Sequence, residues 1–473
     1  MKINQLNIIS LLLAGFLLGA CHKELNVYPT TQEVDGNIIS DEKSASTALN
    51  GVYYQFAAGG ADNNGVPSTK WYITNEEWPA QLSGMVSYTY GGGGLDEHTY
   101  NSKSSAIVFA WSYGYSLINA ANGFLKNIAP VSAISSAVKR RMIAEAKFLR
   151  AYGNSEVLLY YGQYDDTTSA NGIILHNEFI TPSDLALPRS TVGVVYDTII
   201  SDLEAAIPDL PGQNTSIAYA NVWAAKLLEA RVLINRGTPA DYARVISLTK
   251  DIIANGPFVL EANVRDIFWT KGLTSKEVML GVQPYVNQNI KWSDYIRTDS
   301  YSPNNFSNSL LSGDPRASWY MQTVINPHGH HLALTKYYPG SITNIVPLPI
   351  SEDGYVFRLT EAYLLEAEAI VASGGSLADA KTLLKTVLAH AGFTAFSKVD
   401  NAVTAADLQL QIIEEEMVNF VSEAGQDWFA VRRLPFATLQ SLLPSVKNKS
   451  LLILPIPDGE MTTNPLIKQN PNY

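Results

Sequence analysis

The sequence predicts a mainly α-helical fold: a tetratricopeptide-like scaffold of paired helices interrupted by two long, loop-rich insertions. Three observations lead there. First, a six-residue pattern recurs as Ala146-Lys147-Phe148-Leu149-Arg150-Ala151, Ala225-Lys226-Leu227-Leu228-Glu229-Ala230 and Ala362-Tyr363-Leu364-Leu365-Glu366-Ala367. Second, the last two copies continue in parallel. Gly237 and Gly374 each fall twelve residues after the first Ala, and Asp241-Tyr242-Ala243 and Asp379-Ala380 open a second helix. Two helices in ~34 residues, with small side chains where they cross, is the spacing of tetratricopeptide-like repeats. Third, residues 58–103 and 257–355 lack long helical periods and mix turn residues with Trp and Tyr.

Taken in order, the chain begins with a basic residue, Lys2, an apolar run from Ile8 to Leu18, and small residues before Cys21. That order describes a cleavable export signal over residues 1–20, too short for a membrane span of ~20 residues. Leu18-Gly19-Ala20-Cys21 resembles the lipobox of bacterial lipoproteins. The resemblance implies cleavage before Cys21 and acylation of its sulfur, so Cys21 is the lipidation site. Residues 21–40 are then the acylated N-terminus and a polar linker. Lys23-Glu24 resembles the signal that sends such lipoproteins to the cell exterior, with one acid only.

Composition narrows the function. Hydrophobic residues make up 46% and charged residues 16%, as in ordinary globular proteins rather than disordered ones. A net charge of −11 argues against nucleic acid as a partner, since phosphate binding needs a basic face. Cys21 is the one cysteine, so no disulfide holds the body together.

A helix is expected from Asp41 to about Ala57, burying Ala45, Leu49, Val52 and Phe56, because acidic residues favour the positive end of the helix dipole. Ser104–Ile128 reads as the next helix. The first repeat copy continues to Tyr161, with its partner at Val194–Ile207 after a loop. The other two copies have partners ending near Ala254 and Ala391. An amphipathic helix follows over Ala405–Val421, then a short one at Trp428–Arg433 and a Pro-rich tail. Trp111, Trp223 and Trp428 sit on helical periods and read as core. Glu414-Glu415-Glu416 reads as a solvated helix face.

The chain lacks His-Glu-x-x-His, Gly-x-Ser-x-Gly, Walker A and Rossmann glycine patterns, so no catalytic residue is assigned. Asp96, Glu97, Asp294 and Asp314 lie in loops, but nothing in the sequence brings any two to the spacing glycoside hydrolysis needs. His328, His330 and His331 read as surface groups rather than metal ligands. Asp62-Asn63-Asn64-Gly65 has oxygen ligands that suit Ca2+, yet lacks the twelve-residue frame and terminal Glu, and is better read as a turn; no metal or cofactor is assigned. The positive signal is aromatics in loops. Flat Trp and Tyr side chains cover the C–H face of a sugar ring while polar neighbours meet its hydroxyls. The candidates for ligand binding are Trp71, Trp78, Tyr88, Tyr90 and Asp96 from the first insertion and Trp269, Trp292, Tyr295 and Arg297 from the second, with Asn75 and Asn289 as further polar partners.

Several stretches together resemble the SusD/RagB family of outer-membrane nutrient-binding lipoproteins: Glu145-Ala146-Lys147-Phe148-Leu149-Arg150-Ala151-Tyr152, Asp314-Pro315-Arg316, Arg358-Leu359-x-Glu361-Ala362, and the close Leu454-Pro455-Ile456-Pro457…Asn464-Pro465…Gln469-Asn470-Pro471-Asn472-Tyr473. Glu423-Ala424-Gly425-Gln426-Asp427 departs from the family's usual Glu-Gly-x-Arg, and Asn472 stands where a Gly is usual. The resemblance implies a SusD-like helical scaffold of four tetratricopeptide-like units, the fourth made by the helices at Asp41–Ala57 and Ser104–Ile128. It implies one domain over 41–473, and a surface-exposed, lipid-anchored outer-membrane protein that binds oligosaccharide or polysaccharide and delivers it to a SusC-like TonB-dependent transporter. A peptide or other non-glycan ligand in the same delivery role is the alternative.

Overall fold

Helix α1 (Glu42–Phe56) starts where Asp41 and Ser44 form a reciprocal capping box, and it buries Ala45, Leu49, Val52 and Phe56, with Tyr53 beside them. The computed structural model describes residues 38–91, 94–180 and 186–473. The export signal, Cys21 and the linker up to residue 37 lie outside the described residues.

The long helices that follow are α2 (Ser105–Ile128), α3 (Ser136–Tyr161), α4 (Val192–Ala206), α5 (Val222–Arg236), α6 (Pro239–Asn255), α7 (Leu359–Ala372), α8 (Leu377–His390) and α9 (Ala405–Asn419). They pack as the repeat predicts: α1 on α2, α3 on α4, α5 on α6 and α7 on α8, with α3 against α2 and α7 against α6 joining successive pairs. The first and last Ala of all three six-residue copies are fully buried, which is how small side chains bring helix axes together. Gly114 of α2 shows the same close approach. A Cβ there would stand 2.3 Å from Val157 Cγ2 on α3. Gly237 ends α5 in the left-handed region, φ +70°, which glycine adopts without strain.

The insertions are not merely loops. In the first, β1 (Gly59–Ala61) and β2 (Pro67–Thr69) form a hairpin. Asp62 Oδ1 accepts from the N–H of Asn64 and of Val66, both at 2.8 Å, so this carboxylate builds the turn. Residues 71–82 then run as a continuous helical stretch with a π-turn over Ile73–Glu77. Sequence periodicity hides this helix because Thr74, Asn75, Glu76 and Glu77 are polar yet buried. In the second insertion β4 (Val278–Val282) pairs antiparallel with β8 (Gly354–Arg358), and β6 (Met321–Asn326) with β7 (Gly329–Leu334). One pair crosses between insertions: β3 (Val86–Tyr88) lies antiparallel to β5 (Tyr301–Pro303).

Opposite charges hold scaffold and insertions together from inside. Glu277 Oε1 meets Arg358 Nη1 at 2.8 Å and its Oε2 meets His390 Nε2 at 2.9 Å. Arg358 also pairs with Glu423, which takes Lys336 Nζ at 2.6 Å. Burial works against the Glu277 carboxylate, but His390 and Arg358 outweigh it and hold the group at about 2. Glu415 and Glu416 are buried in further ion pairs of this kind, correcting the expectation of a solvated face. Glu415 binds Arg316 Nη1 at 2.6 Å and Glu416 binds Arg433 Nη2 at 2.6 Å, both buried, while Glu414 reaches the exposed Lys398. The tail closes on α3, where Leu454 N–H donates to Tyr160 O at 2.6 Å and Asn470 Nδ2 to Tyr161 O at 2.8 Å.

Candidate ligand-binding face

The β3–β5 pair fixes the face. In register, Tyr88 stands opposite Tyr301, with ring centres 5.5 Å apart. Tyr90 continues the row 6.0 Å from Tyr88, and Tyr295 extends it inward 5.7 Å from Tyr301. The row therefore runs from the core to solvent, ending at Tyr90, which is 57% exposed. Its hydroxyl is held in place: it donates to Asp299 Oδ1 at 2.9 Å and lies 3.3 Å from His328 Nδ1. His328 Nδ1 is 3.0 Å from the same carboxylate oxygen. The His328 turn is docked in its own right, since Asn326 Nδ2 donates to the Arg297 carbonyl at 2.9 Å and Asn326 Oδ1 accepts from His328 N–H at 2.8 Å. An exposed aromatic ring is thus fixed between a carboxylate and an imidazole.

Beneath the row sits a pair of carboxyl groups. Tyr72 Oη donates to Asp294 Oδ2 at 2.9 Å. Burial pushes Asp294 up to about 6, with the Glu352 charge adding to it against the pull of Tyr72. Burial and then the Asp294 charge drive Glu77 well above the ordinary carboxyl range, while the Tyr301 hydroxyl opposes them. Of the other loop carboxylates, Asp314 is committed to Arg316 at 2.7 Å.

The remaining sequence candidates disperse. Trp71, Trp292 and Tyr295 are buried, at 1%, 7% and 2% exposure, and belong to the core. Asn75 is buried too, accepting from Tyr152 Oη at 2.9 Å. Trp78 is half-buried, edge-on to Phe109 with centroids 5.6 Å apart. Trp269 donates from Nε1 to the Thr335 carbonyl at 3.3 Å and packs on Trp319. Asp96 lines a small pocket of about 190 Å³ together with Tyr88. The structure therefore brings together Tyr88 and Tyr90, with Asp96 in a pocket beside Tyr88; Arg297 joins them through its backbone carbonyl, on Asn326. It adds Tyr301, Asp299 and His328, which sequence reasoning did not select. The available signal was Asn326-Pro327-His328-Gly329 between two alternating runs, a hairpin signature that would have put His328 at a strand tip.

The face and the scaffold can be set beside known proteins. A family model described as starch-binding and associating with the outer membrane matches residues 68–234, and a model of the SusD family matches residues 342–441. The chain belongs to the SusD/RagB family. A SusD-like protein of Bacteroides ovatus is 27% identical over 184 residues, which cover 37% of this chain and 32% of that relative's length. Among solved structures, a SusD superfamily protein of Bacteroides thetaiotaomicron superposes with a TM-score of 0.74 at 20% identity, covering 91% of this chain and 100% of the other. One from Parabacteroides distasonis gives 0.75 at 17%, covering 92% and 100%. A laminarin-binding SusD-like protein gives 0.70 at 21%, again covering 92% and 100%. At these identities the structural likeness establishes the fold. SusD-family proteins are non-catalytic binding proteins associated with the outer membrane. Among the described residues of this SusD-like protein, no helix is long and apolar enough to cross a membrane, and no group of three His, Cys, Asp or Glu is placed to hold a metal ion.

Proposed function

We propose that this SusD-like protein is a single-domain, surface-exposed lipoprotein that binds oligosaccharide or polysaccharide at the Tyr90 face and delivers it to a SusC-like TonB-dependent transporter. One observation carries the reading: Tyr90 is a solvent-facing ring immobilised by Asp299 and His328. A ring held before the ligand arrives loses little side-chain entropy on binding. Its face suits the C–H side of a sugar, and Arg297 and Asp96 offer hydrogen bonds to hydroxyls. The starch-binding description of the matching family and the laminarin-binding relative point the same way. Acylation at Cys21 would supply the membrane anchor, with residues 22–40 as its tether.

The deciding test is binding of the purified chain to a polysaccharide panel by calorimetry and affinity gels, with Tyr90→Ala alongside. Loss of about three- to tenfold in affinity is expected. Unchanged affinity in Tyr90→Ala would remove this face from the ligand. Cys21→Ala is expected to leave a folded protein that disappears from the membrane fraction; retention there would end the lipoprotein reading. Co-purification with a TonB-dependent transporter from the native membrane tests the partner.

A further inference from the structure

A second concavity lies apart from the Tyr90 face and shares no lining residue with it. It is a cleft of about 930 Å³, near the upper end of the range for ligand sites, bounded by Gln283–Asn289, Lys271–Thr274 and Pro347–Asp353. A chamber of about 420 Å³ adjoins it, and Ser216, Gln283, Pro284 and Tyr285 line both. Tyr285, 41% exposed, therefore divides a continuous groove. Tyr54 and Tyr219 line the smaller chamber.

The groove is preformed. Its long wall is pinned by the buried Gln288, whose Oε1 accepts from Thr69 N–H at 2.8 Å and whose Nε2 donates to Glu352 Oε2 at 3.1 Å. Tyr219 is fixed by its hydroxyl, which donates to Asn50 Oδ1 at 3.0 Å, and by an edge contact with Tyr53. Pro347 and Pro349 stiffen the opposite wall.

Its chemistry selects an uncharged ligand. The one lysine in the larger cleft, Lys271, is paired with Glu261. Both Glu352 oxygens are taken, by Gln288, Lys291 N–H and Trp292 N–H, and Asp353 Oδ2 accepts from Leu273 N–H at 3.1 Å. What remains facing the groove is tyrosine rings with Ser216, Gln283, Asn287 and Asn289, flat apolar faces alternating with neutral hydrogen-bonding groups, beside the Asp353 carboxylate, whose charge disfavours an anion. A peptide finds no strand edge to extend at Gly281, whose N–H already donates to Ile217 O at 3.1 Å. We infer that the groove divided by Tyr285 is a second ligand site, taking a neutral oligosaccharide chain independently of the Tyr90 face.

The test uses the full chain with Cys21→Ala and Val286→Cys, labelled at residue 286 with an environment-sensitive fluorophore. Val286 is 85% exposed beside Tyr285, so the label reports the groove without entering the core. The probes are starch, laminarin and a mannan as neutral polysaccharides, polygalacturonate as an anionic one, and a tryptic casein digest as peptide. A saturable response to a neutral polysaccharide is expected, retained in Tyr90→Ala and weakened about three- to tenfold by Tyr285→Ala or by the exposed Gln283→Ala. The inference is overturned if no neutral polysaccharide gives a response, if only polygalacturonate or peptides do, or if Tyr90→Ala abolishes it. A response that survives Tyr90→Ala while calorimetry shows no effect of that change supports the groove and removes the Tyr90 reading, so the two fail separately.

Discussion

Two sets of buried carboxyl groups in this chain meet different partners. Where the scaffold packs on itself and on the second insertion, buried carboxylates meet guanidinium groups: Arg231 on Glu361 at 2.7 Å, Arg316 on Asp314 and Glu415, Arg433 on Glu368 and Glu416, Arg358 on Glu277 and Glu423. Under the Tyr88–Tyr301 row, Glu77 and Asp294 face each other and two tyrosine hydroxyls, and burial raises both carboxyls, Asp294 to about 6. Ion pairs in a dry interior fix geometry but collapse if one partner is lost. Protonated carboxyls tolerate neutral replacement and respond to pH.

The largest effect should come from breaking an ion-paired network. Arg358→Met leaves Glu277 and Glu423 short of their shared cation, and a loss of about 3–5 kcal/mol in urea unfolding is expected. Asp294→Asn should instead keep or raise stability at pH 8, because it replaces a group that resists ionisation with a neutral one of the same shape.

The pH dependence sharpens the same contrast. Asp294 is raised from an ordinary value of 3.8 to about 6, so its contribution is fully present below pH 4 and is lost as pH rises through 6. Glu277 is lowered from 4.5 to about 2, so its contribution is present above pH 4.5 and is lost as pH falls toward 2. Hydrogen exchange at β3 and β5, corrected for intrinsic rates, should show more opening at pH 8 than at pH 5, and Asp294→Asn should flatten that trend. Acid unfolding of the scaffold should begin only below pH 4.5 and be shifted by Glu277→Gln.

Tyr90→Ala removes an exposed ring outside both networks. Its effect should fall on glycan binding, about three- to tenfold, with stability in urea changed by less than about 0.5 kcal/mol. The smallest effect tests the Glu414–Glu416 run directly. Glu414→Gln should change stability by less than about 0.5 kcal/mol, since its partner Lys398 has a side chain 73% exposed, whereas Glu415→Gln strips charge from the buried Arg316 and should be several times costlier.

The helical scaffold was legible because its signal is local. Three copies of one pattern, two shared glycines and the apolar spacing of Ala45, Leu49, Val52 and Phe56 all arise within a few turns of helix, and side chains three and four residues apart share a face whatever the rest of the chain does. The family's charged motifs were legible as strings, but not as pairs: Arg316 finds Glu415 across 99 residues and Arg358 finds Glu423 across 65. The helix at 71–82 was missed because its buried face is polar, and polarity ordinarily marks solvent. Choosing among the loop aromatics failed for a related reason. Trp71, Trp292 and Tyr90 carry the same chemistry in the sequence, and only tertiary contacts put the first two inside, Trp71 against Gly354 and Trp292 beside Glu352, and leave the last one facing solvent. The sequence by itself determined the repeat, the turn positions and the two regions from which a ligand face is built. Which side chains meet, and which are left uncovered, depended on contacts between residues hundreds of positions apart, and that information exists only once the chain has folded.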